Sequence, residues 1–337
     1  MCSAETAHAG AARAPRVLCA GIIVLDEVFR VAEFPQADGK VEAKEFFVVN
    51  GGCAANAAVA IARLGGRAAL AGPLGGPAGE DRNGDQVLAA LAREGVDTSA
   101  CPRVPGLATA LSAIFINARG DRTIVTYRDA RIAAVTPADP HGLVAGADLV
   151  LVDNRFPHFV RPICEAARAR GLRVVLDADK ATIVDDPLFR ITSHVIFSSE
   201  CLRATTGCDD LADGLARVAP RIAPHGAGFL AVSNGPHDIL YLDGGACRRL
   251  PVFAIDAVDT LGAGDALHGG FALALAEGRT EIEAMRFGAA VAGIKCSRLG
   301  GSAGAPNRAE VEALLAERVG SGWEAVEAGR PDGLALE

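Results

Sequence analysis

Short apolar runs recur along this chain, and most are followed by a stretch with helical spacing of apolar positions. Residues 16–23 (RVLCAGII), 68–72 (AALAG), 148–153 (DLVLVD), 172–177 (LRVVLD), 194–197 and 228–233 (GFLAVS) read as buried strands. Helical spacing covers 53–64, 84–94, 159–170, 211–221, 263–276, 281–297 and 308–317, and Gly65-Gly66 closes the first of these helices. Strand and helix in alternation imply a parallel sheet with helices on both faces, the α/β class. In such sheets ligands bind beyond the carboxyl ends of the strands. A chain of 337 residues holds one large α/β domain or two unequal ones. Half its residues are hydrophobic and only 5% aromatic, so small aliphatic side chains must pack helices closely on the sheet.

Two places break the rhythm. Residues 109–117 and 122–127 flank the turn Ala118-Arg119-Gly120-Asp121 as a hairpin, and 42–49 (EAKEFFVV) reads as a further strand. The hairpin is expected to belong to a small β-sheet projecting from the main domain. A second hairpin is expected where 238–242 and 247–253 flank Gly244-Gly245.

The net charge of −8 argues against nucleic acid as a partner, and the chain carries no apolar run long enough for a membrane span. Residues 1–15 lack the apolar stretch of a secretory signal and read as a disordered tail. The nine cysteines are odd in number, irregularly spaced and free of CxxC pairs, which points to reduced thiols in the cytoplasm.

The strongest signal is Asp259-Thr260-Leu261-Gly262-Ala263-Gly264-Asp265, which opens a long apolar helix. Gly262, Ala263 and Gly264 leave the backbone open to close approach, and their N–H groups would point out of a helix N-terminus. That combination suits a phosphoryl group in transfer, and a carboxylate at Asp265 could accept the proton of an attacking hydroxyl. Spacing alone equally allows a helix capped by Asp259 or Thr260 with glycines for packing.

This string resembles the C-terminal signature of the PfkB, or ribokinase-like, carbohydrate kinases. The resemblance implies that Asp265 is the catalytic base and that Gly262, Ala263 and Gly264 form the anion hole. Asn50-Gly51-Gly52-Cys53-Ala54-Ala55-Asn56 is similar to the family's N-terminal signature, in which Gly51, Gly52 and Asn56 would face the sugar. Gly21 through Asp26 resembles its first strand, with Asp26 on sugar hydroxyls. The similarity runs from about residue 16 to about 317, with the flavour of the ketohexokinase and sulfofructose kinase branches. It implies a ribokinase-like fold whose lid strands come from about 24–50 and 107–133. A C-terminal tail, 318–337, follows the kinase domain.

The same resemblance implies ATP and Mg2+, and a homodimer paired through exposed lid strands. Ser233 and Gly235 fall where the family contacts phosphates, and Cys296 near its adenine pocket. Glu200 keeps the acid of the family's N-x-x-E, but Phe197 stands where the Asn would be. A monovalent cation, K+, is implied beside Asp259. Lys40 and Arg155 match positions that face a sulfonate in the sulfofructose kinase branch, so they are candidates for an anionic substituent on a keto-sugar. Arg122, Arg128 and Arg131 lie in or near the lid hairpin and read as solvated or as reaching an anionic substrate. His268 reads as structural. A nucleoside kinase would want aromatic residues in the lid, where Phe115 and Tyr127 are available. A non-catalytic binding protein on the same fold would be expected to lose the base or the anion hole, and a nicotinamide enzyme would need GxGxxG after its first strand.

Overall fold

The computed structural model describes residues 13–222, 228–319 and 326–327. Its first half runs β1 (Arg16–Ala20), β2 (Val24–Arg30), β3 (Glu45–Gly51), α1 (Cys53–Arg63), β4 (Arg67–Ala71), β5 (Leu74–Gly75), α2 (Arg82–Arg93), β6 (Arg103–Val104), β7 (Ala110–Ile116) and β8 (Arg122–Tyr127). Then come α3 (Pro140–Leu143), β9 (Leu149–Asp153), α4 (Pro157–Ala169), β10 (Val174–Ala178), α5 (Leu188–Ile191), β11 (His194–Ser198), α6 (Ser199–Thr206) and α7 (Leu211–Ile222). The chain closes with β12 (Leu230–Asn234), β13 (His237–Asp243), β14 (Ala246–Leu250), α8 (Ala263–Ala276), α9 (Glu281–Cys296), α10 (Arg308–Val319) and β15 (Val326–Glu327). The tail expected over 1–15 lies mostly outside the described residues, as does most of 318–337.

Nine strands form the main sheet in the order β15-β14-β13-β12-β11-β10-β9-β1-β4, parallel from β12 to β4 and antiparallel beyond β12. From β1 the chain steps outward to β4, then returns on the other side to β9 and marches to β12. The sequence order therefore reverses between β1 and β9, and a crevice opens there at the carboxyl ends.

Alternation along the central strands feeds two cores. Val17, Cys19, Leu149, Leu151, Val175 and Ile196 face α1, α8 and α9. Leu18, Ala20, Val150, Val152, Val174 and Leu176 face α4, α6 and α7. Helix α8 is apolar all round because it lies between α1 and α9, and residues Ala266 to Leu275 are all buried. Full burial of Phe271 alone contributes roughly 1.5–3 kcal/mol. Thr280 and Glu283 form a capping box that starts α9.

The sequence suggests one strand over 16–23, but β1 stops at Ala20. Gly21 takes φ +155°, and a Cβ there would overlap the Asp153 carboxylate. The chain turns out of the main sheet at this point and enters a second sheet of order β3-β2-β7-β8. That sheet joins β2 and β3, which precede α1, to the hairpin that broke the helical rhythm. On its inner face Val28, Ile114 and Ile116 pack with Phe47, Val49 and Leu261. Its outer face carries Phe29, Phe46 and Phe115 in ring contact, with centroids 4.9 and 5.4 Å from Phe29. The fold also extends past the expected end at 317, since Val326–Glu327 pairs with β14.

Among the described residues, no helix is long and apolar enough to cross a membrane.

The approach of α8 to α1 depends on Gly269, where a Cβ would lie 2.6 Å from the Ala57 carbonyl oxygen and 3.1 Å from Ala60 Cβ. Gly269→Val is expected to lower stability by about 1–3 kcal/mol through overpacking. Urea denaturation checks this; an unchanged midpoint would mean the two helices are not in enforced contact.

Candidate active site

The crevice is assembled around Asp153, the last residue of β9, which is 1% exposed. Its Oδ2 accepts from Ile22 N at 2.7 Å and from Ala54 N at 3.2 Å, while Oδ1 accepts from Arg155 N at 2.9 Å. One carboxylate thus fixes the exit of β1, the first turn of α1 and the turn after β9. Burial pushes its pKa up to about 6, with those N–H donors pulling the other way.

The α1 start takes its shape from two glycines. Gly52 adopts φ +94° with no room for a side chain against the Ile22 carbonyl, and a Cβ on Gly51 would overlap the Asp26 carboxylate. Asp26 lies on β2 of the small sheet, opposite Val49 on one side and Ser112 on the other, with Thr126 next in register. These polar groups sit on the inner face of that sheet. Burial raises the Asp26 pKa to about 6; the Ser112 hydroxyl lowers it, and the charge of Asp265 raises it further.

One turn into α1, Asn56 Nδ2 donates to Asp265 Oδ2 at 2.7 Å. Asn56 Oδ1 accepts from Asn50 Nδ2 at 3.2 Å, and the same Asn50 Nδ2 donates to Ser302 Oγ at 2.9 Å. Both asparagines are buried, and their amide orientation leaves Asp265 on the donor side. Asp265 stands in the first turn of α8, directly after Gly262 in the left-handed region at φ +74°. The opening N–H groups of a helix have no intrahelical acceptor. At Gly264 a Cβ would meet nothing within 4 Å, so the missing side chain is not a packing need of the protein; it leaves the helix mouth open. The arrangement can receive an anion beside a carboxylate. That carboxyl is raised above its ordinary range by burial, with the Asn56 bond opposing and the Asp179 charge adding.

Beneath lie groups that sequence reasoning did not single out. Asp177 ends β10, 5% exposed, and its carboxyl is pushed well up by burial and by the neighbouring Asp265 and Asp179. Cys53 Sγ and carboxylate oxygens of Asp177 and Asp265 lie within 4.8 Å of one another. His268 Nδ1 donates to Gly264 O at 2.7 Å and lies 3.5 Å from Asp177 Oδ2. Burial lowers its pKa, so the ring is neutral and structural. Asp153 and Asp177 each end a predicted strand in the sequence, and that position was the available signal.

The other predicted residues distribute along the same edge. Ser233 on β12 pairs in register with Ser198 on β11, and Glu200 follows in the exposed first turn of α6. Gly235 turns the chain at φ +58° into β13. Cys296 serves through its carbonyl, which accepts from Val258 N at 2.7 Å and Asp259 N at 3.0 Å. Lys40 is exposed. Arg155 stands at the end of β9 and is ion-paired with Asp179. Arg128, at the foot of β8, is half-buried; its Nε is buried and has no hydrogen-bond partner. Burial lowers the Arg128 pKa and the positive charge of Arg155 lowers it further.

A doubly wound sheet with a β-lid, carrying a carboxylate at a glycine-opened helix mouth, defines a phosphoryl-transfer fold. Residues 14–308 match the model of the pfkB family carbohydrate kinases, and the chain belongs to that family. It is therefore an ATP-dependent phosphotransferase acting on a sugar hydroxyl. It is 28% identical over 300 residues to a ribokinase of Haemophilus influenzae, covering 88% of this chain and 96% of that one. It is 27% identical to a probable fructokinase-4 of Arabidopsis thaliana, covering 88% and 95% of the two chains. A crystal structure of a candidate ribokinase from Agrobacterium tumefaciens superposes with a TM-score of 0.85 at 36% identity, covering 91% and 99%. These relatives establish the family and the ribokinase-like fold without reaching the ketohexokinase or sulfofructose kinase branch that the sequence resembles.

Gly264→Val adds a branched side chain at the helix mouth, where its Cβ meets no protein atom within 4 Å. The variant is expected to fold with an unchanged melting temperature and to lose most or all turnover. Normal turnover in a coupled ADP-release assay would mean that this backbone does not cradle the transferred group.

Proposed function

We propose that this kinase transfers the γ-phosphoryl group of ATP to a primary hydroxyl of a ketose or ketose derivative bearing an anionic substituent, with Asp265 as the general base. The carrying observation is the Asn56–Asp265 hydrogen bond, 2.7 Å, which holds a carboxylate at the open first turn of α8. The acceptor hydroxyl oxygen bonds to the γ-phosphorus, the bond from that phosphorus to the β–γ bridging oxygen of ATP breaks, and Asp265 takes the hydroxyl proton. Gly262, Ala263 and Gly264 offer backbone N–H groups to the charge that builds on the phosphoryl oxygens. Asp26, Gly51, Gly52 and Asn56 meet the sugar hydroxyls. Ser233 and Gly235 lie toward the nucleotide, with Cys296 near the base.

Mg2+ is a hard cation that takes oxygen ligands and keeps several from the nucleotide phosphates. Glu200, Asp177 and Asp179 supply carboxylates of that kind at neighbouring strand ends, directly or through water. The Cys53, Asp177 and Asp265 trio does not fit it, because burial holds the Cys53 thiol protonated. When bound, the ion neutralises charge on the phosphates.

The anionic substituent is supported by Arg128. A buried guanidinium nitrogen without a partner, close enough to Arg155 to feel its charge, asks for a ligand acceptor. Lys40 and Arg155 remain the further candidates for that substituent. A nucleoside acceptor finds less support: Phe115 stacks on Phe29 and Tyr127 is 58% exposed, both on the outer face of the lid. The same outer face and the unpaired edge of β8, with Val125 and Tyr127 exposed, suit a homodimer formed lid to lid. The eight described cysteines are all free, which suits a reducing cytoplasm.

Asp265→Asn keeps the shape and removes the base. Its kcat is expected to fall by roughly 10²-fold or more with nucleotide binding retained. In the wild type burial pushes Asp26 up to about 6 and raises Asp265 above the ordinary carboxylate range, so kcat/KM should begin to fall with decreasing pH while still above that range. Wild-type turnover in the variant, or an acid limb at ordinary carboxylate pH, overturns the assignment.

For the substituent, kcat/KM is compared for sulfofructose or a keto-sugar acid against fructose and ribose. A preference of roughly tenfold for the anion, lost in Arg128→Ala, is expected from a charge-assisted contact. Equal use of neutral sugars, unchanged in the variant, leaves a neutral-sugar kinase.

A further inference from the structure

The family resemblance implies a monovalent metal ion beside Asp259, and the residues present do not fit one. Lys295, in the last turn of α9, is 0% exposed, and its side chain runs to Asp259. Its Nζ donates to the Asp259 carbonyl oxygen at 2.7 Å and lies 3.1 Å from Asp259 Oδ2. A metal ion at these oxygens would meet an ammonium group already bonded to both. A buried ammonium is stable only when paired and hydrogen-bonded, and this one is.

Asp259 is also the residue on which the loops of the helix mouth converge. Its Oδ1 accepts from Leu261 N at 2.8 Å, and its Oδ2 from Gly300 N at 3.0 Å and Gly301 N at 3.1 Å. Val258 N and Asp259 N are stitched to the carbonyl of Cys296. Thr260 Oγ1 accepts from Arg122 of the lid at 3.1 Å. Leu261 packs under the lid, and Ser302 of the second loop accepts from Asn50, the partner of Asn56. The charge state matches: burial works to raise the Asp259 carboxyl, yet the Gly301 and Leu261 N–H donors and the ammonium hold it below its ordinary range.

We infer that the Lys295 ammonium is a covalently tethered monovalent cation that positions the Asp259–Asp265 loop, so that this kinase turns over without K+. Lys295 touches no reacting atom; it is a positioning residue acting through Asp259. It neutralises a buried carboxylate whose acceptor oxygens organise both loops around the helix mouth. A free cation would do the same by binding and would be lost at low concentration. The tethered one is always present, at a fixed geometry.

The inference rests on the kinase reading of that helix mouth, so the experiment has an arm that needs no activity. Wild type, Lys295→Ala and Lys295→Met are each compared in KCl, NH4Cl and choline chloride at one ionic strength. Thermal denaturation of the ligand-free protein and kcat with a turned-over sugar are both recorded. The wild type is expected to show the same melting temperature and the same kcat, within about twofold, in all three salts. Lys295→Ala leaves oxygen ligands around an empty space. It should melt lower and lose roughly tenfold or more in kcat, as expected for breaking a buried ion pair. Small cations, NH4+ and K+, should restore part of both, and bulky choline neither. Lys295→Met keeps the apolar stem, fills the space, and should lose kcat without rescue. A wild type activated severalfold by K+ overturns the inference, as does a Lys295→Ala chain with wild-type kcat. If Lys295→Ala does not fold, the wild-type salt series and Lys295→Met decide the question alone. A sugar screen without turnover counts against the kinase reading, while the melting series still tests the tethered cation.

Discussion

The acceptor capacity of one buried carboxylate, Asp153, determines where the crevice lies. Its three N–H partners come from the end of β1, the start of α1 and the turn after β9, which are distant in sequence and meet only at the point where strand order reverses. Removing such an acceptor would leave buried donors unpaired, at about 1–3 kcal/mol each. Gly21 has to be glycine because that carboxylate fills the space a side chain would need. From the same junction β2 swings out to form the lid, which brings Asp26 over Gly51. The lid, the sugar side and the first turn of α1 therefore all take their positions from Asp153.

A second carboxylate does the corresponding work for the phosphate side. Asp259 joins the helix mouth to the Gly300–Gly301 turn, and Lys295 makes its burial tolerable. Between these two anchors run the buried amides. Ser302 accepts from Asn50, which donates to Asn56, which donates to Asp265. Each buried amide uses its oxygen and nitrogen in one sense only, so the base carboxylate is held from both halves of the fold at once.

Much of this was legible in the residues. The strand–helix rhythm gave the sheet class, because period-2 burial and helical spacing are local properties. The Gly262–Asp265 string pointed to a helix opened for an anion, and Asn56 came from the resemblance of the Asn50–Asn56 string to a family signature. The legible parts share a feature: the chemistry lies within a few residues of chain. What could not be read depends on partners far apart. Lys295 was not singled out in the sequence, because its partner Asp259 lies 36 residues earlier in the chain. Arg128 was read as solvated or as reaching an anionic substrate, because the residues next to it in sequence show neither the burial of its Nε nor the charge of Arg155 near it. The break at Gly21 was hidden by an uninterrupted apolar run on either side of it, where burial continues although the sheet changes.

The crevice concentrates negative charge: Asp26, Asp153, Asp177, Asp179 and Asp265 face a region that must admit a polyanionic nucleotide. Burial raises the carboxyls of Asp26, Asp153, Asp177 and Asp265; neighbouring acids add to the rise at Asp26, Asp177 and Asp265, while hydrogen bonds oppose it at Asp26, Asp153 and Asp265. In the ligand-free protein this arrangement resists full ionisation, which limits repulsion within the cluster. A raised carboxyl is a better proton acceptor than an ordinary one once ionised, so the burial that opposes its charge also strengthens it as a base. The Asn56 donor counters part of that rise and fixes one oxygen, Oδ2. The acidic floor therefore strengthens Asp265 as a proton acceptor, through burial first and the Asp179 charge second.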